Sequence, residues 1–105
     1  MSWLYLLFAG VLEVVWAYSM KLSHGFTRPI PSIITLVTMA GSFWLLAVAM
    51  RTIPLGTAYT IWTGIGSVGA FIVGITMLAE PVNAMRIIAA GLILAGLVLM
   101  KISSP

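Results

Sequence analysis

Any chemistry in this sequence rests on Glu13. It lies in Ala9-Gly-Val-Leu-Glu-Val-Val-Trp-Ala17, within an otherwise apolar run from Trp3 to Met20. The only other acidic residue is Glu80, and there is no aspartate. An ionisable group near the middle of a membrane-crossing helix costs about 2.5 kcal/mol or more to insert. A carboxylate side chain is too short to reach either headgroup layer from there. It must face a partner or a watery cavity, and by default it marks an ion or proton path. The plainer alternative is a protonated carboxyl bonded to a neighbouring helix. The polar residues on the other helices, described below, favour a working site.

Other chemistries lack their residues. With no cysteine there is no disulfide, thiolate metal site or cysteine nucleophile. His24 stands alone beside Gly25, so no metal cluster and no cofactor site is expected. An enzyme is set aside as well, because a membrane-embedded hydrolase would need a Ser/His or two-carboxylate arrangement at depth. The net charge of +3 is thinly spread at helix ends and indicates no nucleic-acid partner.

The elements that position Glu13 follow from composition. Of 105 residues, 62% are hydrophobic and 7% charged, with mean hydropathy +1.19. Soluble domains carry about 25% charged residues. The pattern predicts an all-α membrane protein, one domain of four transmembrane helices at about residues 3–20, 32–50, 55–78 and 84–100. The first helix lacks a basic leader and carries Glu13 in its apolar core, so it reads as a retained span rather than a signal peptide.

On a 3.6-residue repeat, Leu6, Gly10, Glu13, Ala17 and Met20 share one face of the first helix, with Trp16 on its flank. Gly10 opens space one turn before Glu13, and Trp3 and Tyr5 fit an interfacial aromatic belt. The connection from Lys21 to Pro31 reads as a solvated loop that includes His24 and Arg28. In the second helix Thr35, Thr38 and Ser42 form a hydroxyl stripe, and Ser42 lies near the depth of Glu13. Such hydroxyls serve a site or simply bond their own helix. The third helix carries Tyr59 and Trp62, whose O–H and N–H seek acceptors when buried; a carboxylate would supply one, and core filling is the alternative. It also holds Gly64, Gly66, Gly69 and Gly74, which suit close helix approach, and Gly64-Ile-Gly66 would permit a hinge. Glu80, before Pro81, reads as a solvated loop carboxylate.

The fourth helix has no polar side chain at depth. Its small residues Ala89 and Gly96, seven apart, suit dimerisation against a second copy. Arg51 and Lys101 fall on one side of a four-span chain, and Lys21, Arg28 and Arg86 on the other. A bias this small leaves the positive-inside rule almost no grip, so insertion in both directions is expected. Two oppositely inserted copies would form an antiparallel homodimer with an inverted repeat and bring two Glu13 residues together at the midplane.

Three stretches carry a resemblance: Glu13-Val-Val-Trp-Ala17 followed by Lys21, Ser42-Phe-Trp-Leu-Leu46, and Pro54-Leu-Gly-Thr-Ala-Tyr-Thr-Ile-Trp-Thr-Gly-Ile-Gly66. Along its whole length the chain resembles the small multidrug resistance transporters, and among them the guanidinium-exporter subtype. The resemblance implies a dual-topology antiparallel homodimer in the bacterial inner membrane that exports small cations in exchange for protons. It implies that Glu13 binds proton and cation in turn, that Trp16, Ser42, Tyr59 and Trp62 form its hydrogen-bonding shell, and that Gly10 shapes the pocket. Thr60 stands where this subtype leads one to expect alanine.

The chemistry of such a substrate suits these residues. Guanidinium is planar, stays charged near neutral pH and offers a fork of donors that a carboxylate accepts in pairs. Its faces stack on aromatic rings. Desolvation favours the neutral form of a carboxyl and a bound cation the charged form, so proton and cation compete. The rival readings are a broader exporter of quaternary ammonium and other drug cations, and an uncoupled channel or structural membrane subunit.

Overall fold

The computed structural model describes residues 1–103. Four helices occupy nearly all of it: α1 (Ser2–Leu22), α2 (Pro29–Ala49), α3 (Leu55–Met77) and α4 (Ala84–Ile102). Each is long and apolar enough to cross a membrane. At about 1.5 Å per residue, 19 to 23 residues rise roughly 28–35 Å, the thickness of a hydrocarbon core.

Packing follows an order different from the chain. α1 packs on both α2 and α3, α3 also touches α2 beside it, and α4 packs on α3, giving the row α2–α1–α3–α4. The molecule measures 43 × 34 × 17 Å. The small core centres on Leu6 and Ala9 of α1, Leu46 and Ala49 of α2, and Ala58, Ile61 and Trp62 of α3. α4 contributes no buried residue. Apart from Leu97, which packs on the core, its leucines and isoleucines are exposed, as lipid-facing side chains are.

The helix ends on either side of the α1–α2 link differ from the sequence expectation, for local reasons. α2 begins at Pro29 rather than near Ser32, so both prolines of the connection belong to its first turn. Proline suits that position, where the missing N–H has no intrahelical acceptor. α1 runs on to Leu22, taking Lys21 into its last turn, where a cation complements the helix dipole. The short link between them turns through left-handed backbone at His24, Gly25 and Phe26, with φ of 50°, 72° and 67°. Ser23 anchors that turn. Its fully buried hydroxyl donates to Met20 O at 2.7 Å and accepts from Phe26 N at 3.0 Å, offsetting the strain of left-handed non-glycine residues. His24 and Arg28 are exposed.

The opposite end is clasped twice. The hydroxyls of Ser2 and Thr52 hydrogen-bond across the start of α1 and the α2–α3 turn. Lys101 Nζ lies 4.7 Å from the centre of the Trp3 ring, joining the end of α4 to the start of α1.

Candidate functional site

Glycines set the position of Glu13. α1 and α3 meet where Gly10 faces Ile65, Gly66 faces Glu13 and Gly69 faces Val14. A Cβ on Gly66 would fall within the Glu13 carboxyl group. The carboxyl therefore lies directly on the α3 backbone, at a spot only glycine leaves open. Gly64 does the same for α4, since a Cβ there would strike Leu97. α3 runs as one uninterrupted helix through both glycines.

One turn before Glu13, a hydrogen-bonded chain ties three helices together. Trp62 Nε1 of α3 donates to Ser42 Oγ of α2 at 3.0 Å, and that hydroxyl donates to Ala9 O of α1 at 2.6 Å. Ser42 is fully buried and Trp62 is 7% exposed. With its donor given to Ala9, Ser42 still accepts from the indole, so its capacity is well used. Ser42 and Trp62 thus bond to each other and to α1 rather than to Glu13. Thr35 and Thr38 bond their own helix, at Pro31 O and Ile34 O, both at 2.7 Å.

Aromatic rings extend this chain across the row of helices. Trp16 meets Phe43 edge-on at 6.2 Å, Phe43 lies 5.6 Å from Trp62, and Tyr59 stacks on Trp62 at 5.6 Å with an interplanar angle of 27°. Phe43 is the member that sequence reasoning missed. Phe43 is about half exposed and its neighbour Trp44 is 67% exposed; only Phe43 joins the ring contacts. Tyr59 is about half exposed and stays in the row through stacking.

Two polar atoms remain unsatisfied among the described residues. Glu13 Oε1 and Trp16 Nε1 are buried and have no hydrogen-bond partner. Trp16 is one turn beyond Glu13 on α1, so an acceptor and a donor are held on adjacent turns. A buried carboxylate oxygen without a donor is costly unless a proton or a cation meets it. The site can therefore receive a small cation with N–H donors, with flat rings nearby to cover its faces.

The remaining sequence candidates lie elsewhere. Ala89 and Gly96 are exposed on α4, and a Cβ on Gly96 would meet nothing. Thr60 is exposed and lines an α3–α4 groove of about 560 Å³ with Tyr59, Thr63 and Gly96.

Four apolar spans with a carboxyl seated between two of them define a multi-pass membrane protein with a polar site at depth. The profile of the family described as Small Multidrug Resistance protein matches residues 1–93, and the chain belongs to that family. Curated relatives share its full length. It is 56% identical over 104 residues to the protein named guanidinium exporter of Yersinia pseudotuberculosis, covering 99% of this chain and 100% of that one. Proteins of the same name from Citrobacter freundii and Salmonella typhimurium are 55% identical over 104 residues, with 99% of each chain covered.

Proposed function

We propose that this chain exports guanidinium and small substituted guanidinium cations across the bacterial inner membrane, in exchange for protons that compete for Glu13. The observation that carries the reading is the Glu13 carboxyl laid on Gly66 with Oε1 buried and unpartnered. Full-length identity of 55–56% to proteins named guanidinium exporter supports the substrate class.

The exchange follows from one site with two possible occupants. A carboxyl kept from water is tolerated when protonated or when paired with a cation, and poorly as a bare anion. A proton arriving releases the cation, and a cation arriving releases the proton. Guanidinium fits because its parallel N–H groups can bond both carboxylate oxygens. The half-buried Trp16 ring, one turn from Glu13, supplies a face for its weakly hydrated plane, and Phe43 braces that ring. Glu13 alone cannot enclose the ion, because one carboxylate on a half-buried residue supplies only part of a coordination shell. A second copy, inserted oppositely, would complete the enclosure and bring the second Glu13. Gly64 and Gly66 would let α3 flex as the site opens to one side and then the other.

Solid-supported-membrane currents test the substrate class. Guanidinium should evoke a transport current, and tetrapropylammonium, which has no N–H to offer, should evoke at most a small fraction of it. A larger current with the quaternary ion would assign the chain to a broader drug-cation role.

A further inference from the structure

A second polar region lies far from the Ser42–Trp62 chain, at the opposite end of the helices from the Ser2–Thr52 clasp. A groove of about 410 Å³ opens there between α1, α3 and the start of α4. Lys21 from the last turn of α1, Glu80 from the α3–α4 connection and Arg86 from the first turn of α4 line its mouth. Ala17, Tyr18 and Phe71 are among the residues deeper in.

The carboxylate at this mouth is held in place. Glu80 N donates to Gly74 O at 3.0 Å, and Ala79 takes the left-handed φ of 53° that folds the chain back over the end of α3. Gly74 is buried, and a Cβ on it would strike the Glu80 carboxylate. Arg86 is held too. Its backbone N donates to Asn83 Oδ1 and its Nη1 to Pro81 O, both at 2.9 Å, while its guanidinium lies 5.5 Å from the Phe71 ring centre. Among the described residues, Glu80 forms no ion pair with Lys21 or with Arg86. Opposite charges share one groove and are kept apart.

The level of the groove narrows the choice of ligand. Lys21, Glu80 and Arg86 stand where the apolar spans end, the depth of lipid headgroups. A free cation would meet two positive charges against one negative. A purely anionic headgroup would meet Glu80. A headgroup with both signs meets a complement for each.

We infer that this groove binds a phospholipid whose phosphate carries a primary ammonium, as in phosphatidylethanolamine. The phosphate lies between Lys21 and Arg86, the ammonium bonds Glu80, and the glycerol end of the acyl chains rests against Ala17 and Phe71. A choline headgroup fits less well, because its methylated nitrogen has no N–H to donate to a carboxylate.

The test is the thermal midpoint of the purified protein in nanodiscs of matched acyl chains. In one set the main lipid is phosphatidylethanolamine and in the other phosphatidylcholine, with the same minor fraction of phosphatidylglycerol. The wild type should melt several degrees higher in the ethanolamine lipid, as a ligand bound only by the folded form requires. Glu80→Gln should lose that advantage, and Glu80→Asp should keep part of it. Lys21→Gln should lower the midpoint in both lipids, because the phosphate is common to them. An advantage that persists in Glu80→Gln would assign the effect to the bulk bilayer and overturn the site. No difference in the wild type, or highest stability in phosphatidylglycerol alone, would overturn it equally. Should Glu80→Gln fail to fold, short-chain forms of the two lipids titrated into detergent-solubilised wild type give the same discrimination.

Discussion

Gly66 and Glu13 form one unit, since the carboxyl occupies the space a side chain would take. Gly66→Ala should therefore lower guanidinium turnover about tenfold or more, equivalent to roughly 1.4 kcal/mol of lost stabilisation. Gly91→Ala, where a Cβ meets nothing, should leave the rate unchanged. Transport assays on the two variants side by side check the difference. Ser42 acts through another contact. Removing its hydroxyl in Ser42→Ala strands the buried Trp62 N–H, which costs about 1–3 kcal/mol. A fall of that size in denaturant or thermal unfolding is the expected result. An unchanged stability with a shifted transport–pH profile would instead place Ser42 on the Glu13 carboxyl. At this scale the sequence singled out a candidate residue more readily than its surroundings. Glu13 stood out because it is the one charged residue in the apolar run from Trp3 to Met20. The partners of Ser42 and Trp62 did not, because the Ala9 carbonyl becomes their neighbour only once α1 lies between α2 and α3. Phe43 was equally hidden, since its contacts with Trp16 and Trp62 depend on how α2 is rotated and not on residue type.

Among the elements, α3 carries the most information and the least redundancy. Its glycines read as close-approach residues, and the structure assigns their partners: Glu13 and Val14 of α1, Leu97 of α4 and the Glu80 carboxylate. Gly64→Ala should weaken α3–α4 docking by about 1–3 kcal/mol through overpacking. Leu97→Ala in the same chain should recover most of that loss, as a double-mutant cycle of unfolding free energies would show. A simple sum of the two losses would separate Gly64 from Leu97. The spans themselves were plain in the sequence as long runs nearly free of charge. Their ends were less so. Pro29 and Pro31 look like loop residues until they are placed in a first turn, and the three left-handed residues after Ser23 carry no pattern beyond one glycine.

The whole molecule is flattened, with α1, α2 and α3 in contact with one another and α4 at the edge on α3. Composition foretold four spans but not the row, because the order α2–α1–α3–α4 depends on which glycines meet which side chains. An antiparallel pair sharing α4 should show a particular cross-linking pattern, and the natural absence of cysteine makes the test clean. If the seam is centred between Ala89 and Gly96, then Ala89→Cys in one copy should cross-link to Gly96→Cys in the other. Each variant alone should cross-link poorly. Strong cross-linking of Ala89→Cys to itself would indicate parallel copies. The central claim is that Glu13 exchanges a proton for a guanidinium ion, and gradient-driven uptake tests it most directly. Proteoliposomes with an acidic interior should accumulate guanidinium when the outside is made alkaline, and Glu13→Gln should abolish that accumulation. Uptake by the wild type that ignores the pH gradient, or that survives in Glu13→Gln, would contradict the account.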